Sequence, residues 1–359
     1  MAVDWSRGIT VNYYAMILDP VTLLDQERFE IKDSSVKKDS SDLRESADLT
    51  CVDRWKRPGE DESDSPGRLQ YSFGQGVERW VRIYVDARQE DAASHVAVFT
   101  GIASAPTMDI KGRQFSNTVQ CYSVLKPAND IMLPIGWSVQ KGVNGADIIK
   151  ELLSVGPAPI EILGESDSLS STIVAEGGET HLTMVDKILK AINWRLVISG
   201  DGTIYLGPKA SSANEKYFSS TYNDVVELTV QVENNWFDCP NVFRAMNDEL
   251  IAVARDEDPD SIYSIPSRGR EIWMEEDGVN LSEEETIGAY AERRLKEEQK
   301  INYTLSYDRR FDPDILPTDL VQISYPEQEI NDIFEIVSQT IRLGNGVKVS
   351  EEVKLWEQS

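Results

Sequence analysis

The 359-residue chain holds two histidines, His95 and His181, and three cysteines, Cys51, Cys121 and Cys239. A zinc site needs several His or Cys side chains at short spacing, and neither histidine has such a neighbour, so no metal site is expected. A Ser-His-Asp triad would have to use one of these two imidazoles, and no G-x-S-x-G elbow is present. The cysteines are odd in number, far apart and without a C-x-x-C pair, and they read as small buried apolar side chains. No phosphate-binding G-x-x-x-x-G-K loop occurs. Gly74-Gln75-Gly76 lacks a third glycine and a following helix, and Gly200-Asp201-Gly202 falls between two β-rich runs, so both read as turns. Carboxylates are abundant, with 62 Asp plus Glu. A glycosidase needs only two of them at a suitable separation, so a carbohydrate hydrolase using an Asp/Glu pair stays open as an alternative. Trp80, Trp137, Trp194, Trp236 and Trp273 are candidates for a sugar platform, but each lies in or near an apolar pattern that reads as core. Asp256-Glu257-Asp258-Pro259-Asp260 has the composition of a calcium loop without its sixth-position Gly and twelfth-position Glu. Glu275-Glu276-Asp277 and Glu283-Glu284-Glu285 read as solvated charge. The expectation is no catalytic, cofactor-binding or metal-binding residue, and no enzyme.

The elements that would position any site read as β in the first third. The stretch from Ile9 to Leu18 is rich in β-branched and aromatic residues. Arg79-Trp80-Val81-Arg82-Ile83-Tyr84-Val85 alternates as a half-buried strand does, and two further strands are expected over 95–102 and 117–125. The polar stretches 32–48 and 56–68 are expected to be exposed loops or strand rims. The period then changes. Ile148, Ile149, Leu152 and Leu153 have helical spacing before a Gly156-Pro157 stop, and Val185, Ile188, Leu189 and Ile192 repeat it. Trp194 to Ile198 and Thr203 to Leu206 flank an Asp-Gly turn, a hairpin signal. Residues 209–215 read as a linker. The last third returns to β, with alternation over 225–232 and strands over 301–307, 319–325, 333–343 and 346–356, the last two joined at Gly344-Asn345-Gly346. A capping box at Ser282-Glu283-Glu284-Glu285 is expected to open a helix running to Lys300. That helix carries Ile287, Tyr290, Ala291 and Leu295 on one face and Glu292, Arg293, Lys296 and Glu297 on the other.

Asp48 and Asp319 each stand at the expected mouth of a strand followed by several more. The reading is α+β, mostly β: two related antiparallel β-barrel domains, 1–134 and 211–359, flanking a small α+β insert, 135–210. The second barrel carries a helical excursion near 240–300. Lys plus Arg is 36, so the net charge is −26, which argues against nucleic-acid and anionic-membrane binding because phosphate recognition needs a cationic surface. The first twelve residues show no secretory signal, and the weakly polar stretch 96–106 falls well short of the roughly 20 apolar residues that span a bilayer. A soluble protein made in a cytoplasm is expected.

Taken in order, several of these motifs carry a resemblance. Phe99-Thr100-Gly101-Ile102 followed by Val119-Gln120-Cys121-Tyr122-Ser123-Val124-Leu125 resembles the strand pair closing the first barrel of phage tail baseplate hub proteins. Gly145-Ala146-Asp147-Ile148-Ile149-Lys150-Glu151-Leu152-Leu153, the second helix and the hairpin from Trp194 to Leu206 resemble that family's insert. Ala289-Tyr290-Ala291-Glu292-Arg293-Arg294-Leu295 and Asp319-Leu320-Val321-Gln322-Ile323 resemble its last helix and the strand after it. The resemblance implies a structural tail-tip hub of a virion or phage-tail-like particle, assembled in the host bacterial cytoplasm. It implies a trimer whose two barrels per chain give six positions, matching a sixfold tail tube or distal tail protein above and a threefold spike or fibre below. A tape-measure protein is a further implied partner, and a central channel would pass DNA. Part of the acidic charge is expected to face that channel, or to lie outside for solubility. Subunits are expected to pair through edge strands at Arg79, Val81, Ile83 and Val85 and at Tyr303, Leu305 and Tyr307, unless both stretches are internal strands. A hexameric distal-tail or tube-adaptor protein is the alternative assembly.

Overall fold

A computed structural model describes residues 3–5, 8–39, 43–54, 78–90, 92–105, 107–111, 114–209, 217–219, 231–234, 236–247, 250–279, 281, 285–300, 303–325, 329–344 and 346–356. The expected loop over 56–68, the Gly74-Gln75-Gly76 turn, most of the 209–215 linker and of the 225–232 strand, three of the four capping-box residues and Asn345 lie outside the described residues.

The β-rich first third forms β1 (Thr10–Leu18), β2 (Asp25–Phe29), β3 (Ser34–Lys38), β4 (Glu45–Arg54), β5 (Arg79–Gln89), β6 (Ala92–Ala103), β7 (Thr107–Lys111) and β8 (Gln114–Ser123). The middle holds α1 (Lys126–Asp130), β9 (Ser138–Val139), α2 (Gly145–Leu153), β10 (Ile160–Ile162), β11 (Ile173–Val174), α3 (His181–Ala191), β12 (Trp194–Ile198) and β13 (Ile204–Pro208). Then come β14 (Tyr217–Ser219), β15 (Gln231–Asn234), β16 (Val242–Met246), β17 (Ile251–Arg255), α4 (Ile265–Arg268), β18 (Trp273–Glu276) and α5 (Ile287–Lys300). The chain closes with β19 (Tyr303–Arg310), β20 (Leu320–Tyr325), β21 (Ile330–Gly344) and β22 (Gly346–Leu355). The fold is mostly β with a small helical content.

Among the described residues, fourteen strands share one sheet, in the order β15-β19-β22-β21-β3-β4-β8-β6-β5-β1-β2, with β7 on β8 and β14-β20 on β21. The sheet is continuous across the antiparallel pairing of β21 with β3, which joins strands far apart in sequence. Its apolar side chains gather into two cores. One takes Ala15, Val81, Ile83, Val85, Leu49, Phe99 and Val119 together with Ile341 and Leu343 of β21. The other lies among Leu305, Val321, Ile323, Phe334, Ile336 and Val353.

The helices form where the sequence period is 3.6 and a polar residue can cap them. Asn144 caps α2 by accepting from the Asp147 amide at 3.2 Å, and Thr180 closes a reciprocal box with Thr183 at the start of α3. Their apolar faces, Ile149, Leu152, Leu182, Val185 and Ile188, pack with Trp194, Leu196 and Leu206 and against Leu18 and Trp80 of the large sheet. Gly200 sets the contact of the β12–β13 turn with the sheet. The Thr100 hydroxyl donates to its carbonyl at 2.8 Å, and a Cβ there would sit 1.8 Å from the Ala97 carbonyl oxygen. That turn therefore docks as well as reverses the chain. A second small sheet, β17-β16-β18, packs Phe243 and Ala245 on Tyr290, Ala291 and Leu295 of α5.

The sequence readings change at two places. Of the two readings of 32–48, loops or strand rims, strand holds among the described residues: the stretch contains β3 and the start of β4, and Asp48 lies inside β4 instead of at its mouth. The charges that read as solvent-exposed are in part an internal pair, because Lys38 and Glu45 are both buried. The last long helix starts at Ile287, with the Thr286 hydroxyl accepting from the Ala289 amide at 3.2 Å, and Glu285 is engaged along the helix. Its carboxylate takes two hydrogen bonds from Arg293, at 2.9 and 3.1 Å.

Candidate assembly surface and junction

The seven residues expected at subunit edges lie within the sheet. Strand β5 pairs with β1 on one side and β6 on the other, so Val81, Ile83 and Val85 present no open backbone edge, and Arg79 pairs with Ala103 of β6. Val81, Ile83 and Val85 are fully buried in the first core. Strand β19 pairs with β15 and β22, Leu305 is buried in the second core, and Tyr307 donates to Glu351 at 2.8 Å. Tyr303 sits opposite Asn234 of β15. Val81, Ile83, Val85 and Leu305, paired on both sides, fit the internal-strand alternative, while Arg79, Tyr303 and Tyr307 have a ladder partner on one side among the described residues.

Among the described residues the ends of the sheet path are β2 and β15. β2 carries Asp25, Gln26, Glu27 and Arg28, all exposed, the kind of charged edge that discourages indiscriminate strand addition. Behind it lies a layer of rings and charges. The Arg28 guanidinium stands 3.8 Å from the Tyr14 ring centre, and Tyr84 stacks on His95 at 4.3 Å. The Tyr84 hydroxyl donates to Asp25 at 2.9 Å. Sequence reasoning missed β2 because a five-residue strand with four polar members gives no alternation to detect.

A cleft of about 550 Å³ opens where the first third, the middle and the last third meet. Ion pairs join the middle to both the first and the last third around it. Arg44 reaches Asp186 of α3 at 2.6 Å, and Arg195 of β12 reaches Asp319 at 3.4 Å while donating to the Thr318 carbonyl at 2.9 Å. Lys209 reaches Glu297 of α5 at 3.3 Å. Burial alone would raise the Glu297 carboxyl, but Lys209, Arg294 and Arg293 outweigh it and hold it at about 2. Of the residues expected on an outward helix face, Arg293 and Glu297 line this junction, while Glu292 and Lys296 are exposed.

Beside the cleft, a row of polar side chains crosses five adjacent strands at one register. Tyr307 faces Glu351, Glu351 faces Gln339, Gln339 faces Lys38, and Lys38 faces Glu45. All five are buried, and Arg309 joins them with its side chain 1% exposed. Glu351 accepts from Arg309 and Gln339 at 2.6 Å each and from Tyr307 at 2.8 Å. Lys38 stands 3.2 Å from Glu45.

The remaining candidates for chemistry are dispersed. His95 bonds Asp86 at 2.6 Å on an exposed face, and His181 bonds the Leu152 carbonyl at 3.0 Å at the start of α3. Cys51, Cys121 and Cys239 are free and buried, and burial pushes the Cys51 thiol up to about 12 and the Cys121 thiol well above its usual value. Trp80 and Trp194 are core residues, but Trp236 and Trp273 are 53% and 45% exposed, against the core reading. Both sit under guanidinium groups, of Arg268 and Arg244. Within 256–261, Asp256 accepts from Ser261 at 2.7 Å and from Gln299 at 3.0 Å, which fastens this acidic turn to α5. Among the described residues no group of three or more His, Cys, Asp or Glu side chains is placed to hold a metal ion.

At the level of sequence, no protein-family model and no curated protein matches the chain. Solved structures do match, over nearly the whole length. The tail protein from Neisseria meningitidis MC58 superposes with a TM-score of 0.68 at 13% identity, covering 96% of each chain. The 43 kDa tail protein of prophage MuSo2 from Shewanella oneidensis gives 0.63 at 11% identity, covering 95% of this chain and 97% of that one. The Escherichia coli c3393 protein gives 0.54 at 8% identity, covering 96% of this chain and 77% of that one. It is a component of the type VI secretion system with structural similarity to the T4 bacteriophage tail proteins gp27 and gp5. From its first strand to its last, this chain has the fold of phage tail proteins.

Proposed function

We propose that the chain is a structural hub of a phage tail tip or of a related tail-like particle. Three copies form a ring, and each contributes two sheet units, 1–134 and 211–359, on either side of the 135–210 insert. Six near-equivalent units then meet a sixfold tail tube or distal tail protein, while the threefold ring meets a spike or fibre. A tape-measure protein and DNA pass through the centre. The observation that carries this reading is the tail-protein fold over the full length, combined with one sheet running through two cores and joined at β21–β3. Its chemistry is assembly and passage, not covalent catalysis.

The edges that would close the ring are β2 of one copy and β15 of the next, since these end the sheet path. A heterologous contact between two different edges generates a closed ring when its rotation closes. Sedimentation of the purified chain tests the reading: a species of three times 40.4 kDa supports it, and a species of six copies favours the adaptor alternative. A lone chain at all concentrations, even with the tail-tube protein present, would contradict both.

A further inference from the structure

The walls of the central cleft differ in charge. The β3–β4 side presents Lys38 and Arg44 against Asp39 and Glu45. The α5 side presents Arg293, Arg294 and Glu297, and both guanidinium groups are already engaged. Arg293 bonds Glu285 and Glu297, and Arg294 bonds Glu276, Glu297 and Glu298. The insert side presents Lys187, Lys190, Arg195 and Lys209 against one carboxylate, Asp186, which Arg44 already holds. Lys187 and Lys209 each have a carboxylate nearby, Glu179 at 2.6 Å and Glu297 at 3.3 Å. Lys190 is exposed and forms no ion pair among the described residues. Arg195 uses only Nη1, on Thr318 and Asp319, so Nε and Nη2 have no protein partner among the described residues. Four cations on one wall reverse the sign of a chain whose net charge is −26.

We propose that this wall receives an acidic peptide segment of a partner protein, whose carboxylates meet Lys190, Arg195 and their two lysine neighbours. The volume of about 550 Å³ lies within the roughly 300–1,000 Å³ of ligand pockets. A phosphate group fits the wall less well. The end of α3 that reaches the cleft is its C-terminal turn, which offers carbonyls, and no glycine lines the cleft to let a backbone amide approach. Recognition falls to side chains spread over α3, β12 and the end of β13, beside the apolar atoms of Leu189 and Pro317. Such a surface suits several carboxylates along a chain, each taking a charge-assisted hydrogen bond. The cleft borders β3 and β4, in the middle of the sheet path and away from β2 and β15. Contact between copies through those ends leaves it open to a different protein. That choice of partner rests on the hub reading, while binding of the peptide does not.

Fluorescence anisotropy of a labelled synthetic peptide of alternating glutamate and leucine, titrated with the full chain, tests this. Binding should be saturable and should weaken as salt rises from about 50 to about 500 mM. The same peptide with lysine for glutamate should not bind. Lys190→Glu combined with Lys209→Glu should lower the affinity at least about tenfold, since like charges then face the ligand. Lys141→Glu combined with Lys150→Glu makes the same change in net charge outside the cleft and should leave the affinity unchanged. Circular dichroism checks that both variants fold, and Lys190→Ala replaces the cleft variant if it does not. No binding at millimolar peptide, or equal losses in the two variants, would overturn the proposal. So would displacement of the peptide by pyrophosphate at equal concentration, which marks a phosphate site. Self-association of the chain that the cleft variant alone abolishes would seat a second copy there instead, again against the proposal. Sedimentation of the ring remains a separate readout, so failure here and failure of the hub reading are distinguishable.

Discussion

Glu351 is the side chain on which most polar order depends at the scale of single residues. Its own exposure is 0% and that of Arg309 is 1%, and three donors converge on it. Glu351→Ala removes an acceptor shared by a guanidinium, an amide and a phenol inside the second half of the sheet. Loss of one partner of a buried pair costs about 3–5 kcal/mol, so urea unfolding of this variant should show a loss of that size. Arg309→Met combined with Glu351→Leu should recover most of it, since both charges go together. Gly200 carries a prediction of the opposite kind, where adding an atom does the harm. The 1.8 Å approach to the Ala97 carbonyl leaves no room for a methyl, so Gly200→Ala must lift the β12–β13 turn off β6. The Arg82 bond to the Asp201 carbonyl, 2.8 Å long, should break with it. Faster proteolysis at the turn, with the β1–β5 region still protected, is the expected readout.

Elements were legible in the sequence where period and caps agreed. The apolar faces of α2 and α3, the β12–β13 hairpin and the long β21–β22 pair follow directly from spacing and turn residues. Elements built from polar residues were not legible. β3 reads Ser-Ser-Val-Lys-Lys, and only its neighbours explain why Ser34, Val36 and Lys38 point inward. A lone sequence cannot tell a lysine that faces water from one that faces Glu45 across a strand pair. Nor could the sequence choose between edge and internal strand for β5, because its apolar alternation marks a strand well and says nothing of how many neighbours it has. The sheet end at β2 has its own irregularity. Ile17 pairs with Glu27 and Leu18 with Asp25, which leaves Gln26 as the extra residue of a bulge. Gln26→Pro places proline at a bulge of a strand that ends the described sheet path, a position where strands tolerate it, so the circular dichroism spectrum and melting of the single chain should change little. If β2 is the lateral contact, the same variant should fail to form the ring.

The whole molecule joins an insert, an α5-backed small sheet and one long sheet, and ion pairs rather than linkers mark their meeting place. Exposed pairs of this kind are worth little singly, about 0–1 kcal/mol, so the junction gains from their number and from the partial burial of Arg44, Asp186, Arg195 and Asp319. The fold itself was foreshadowed by ordered weak motifs, while the continuity of the sheet through β3 was not, because it depends on pairing between residues about 300 positions apart. That continuity gives the hub reading a geometric form: one chain as two consecutive positions of six. A three-dimensional reconstruction of the assembled particle tests it most directly. The account predicts a ring of three chains in which units 1–134 and 211–359 alternate at steps of about 60°, with β2 against β15 at every boundary between chains. A ring of six chains, or one whose two units are not related by such a step, would contradict it.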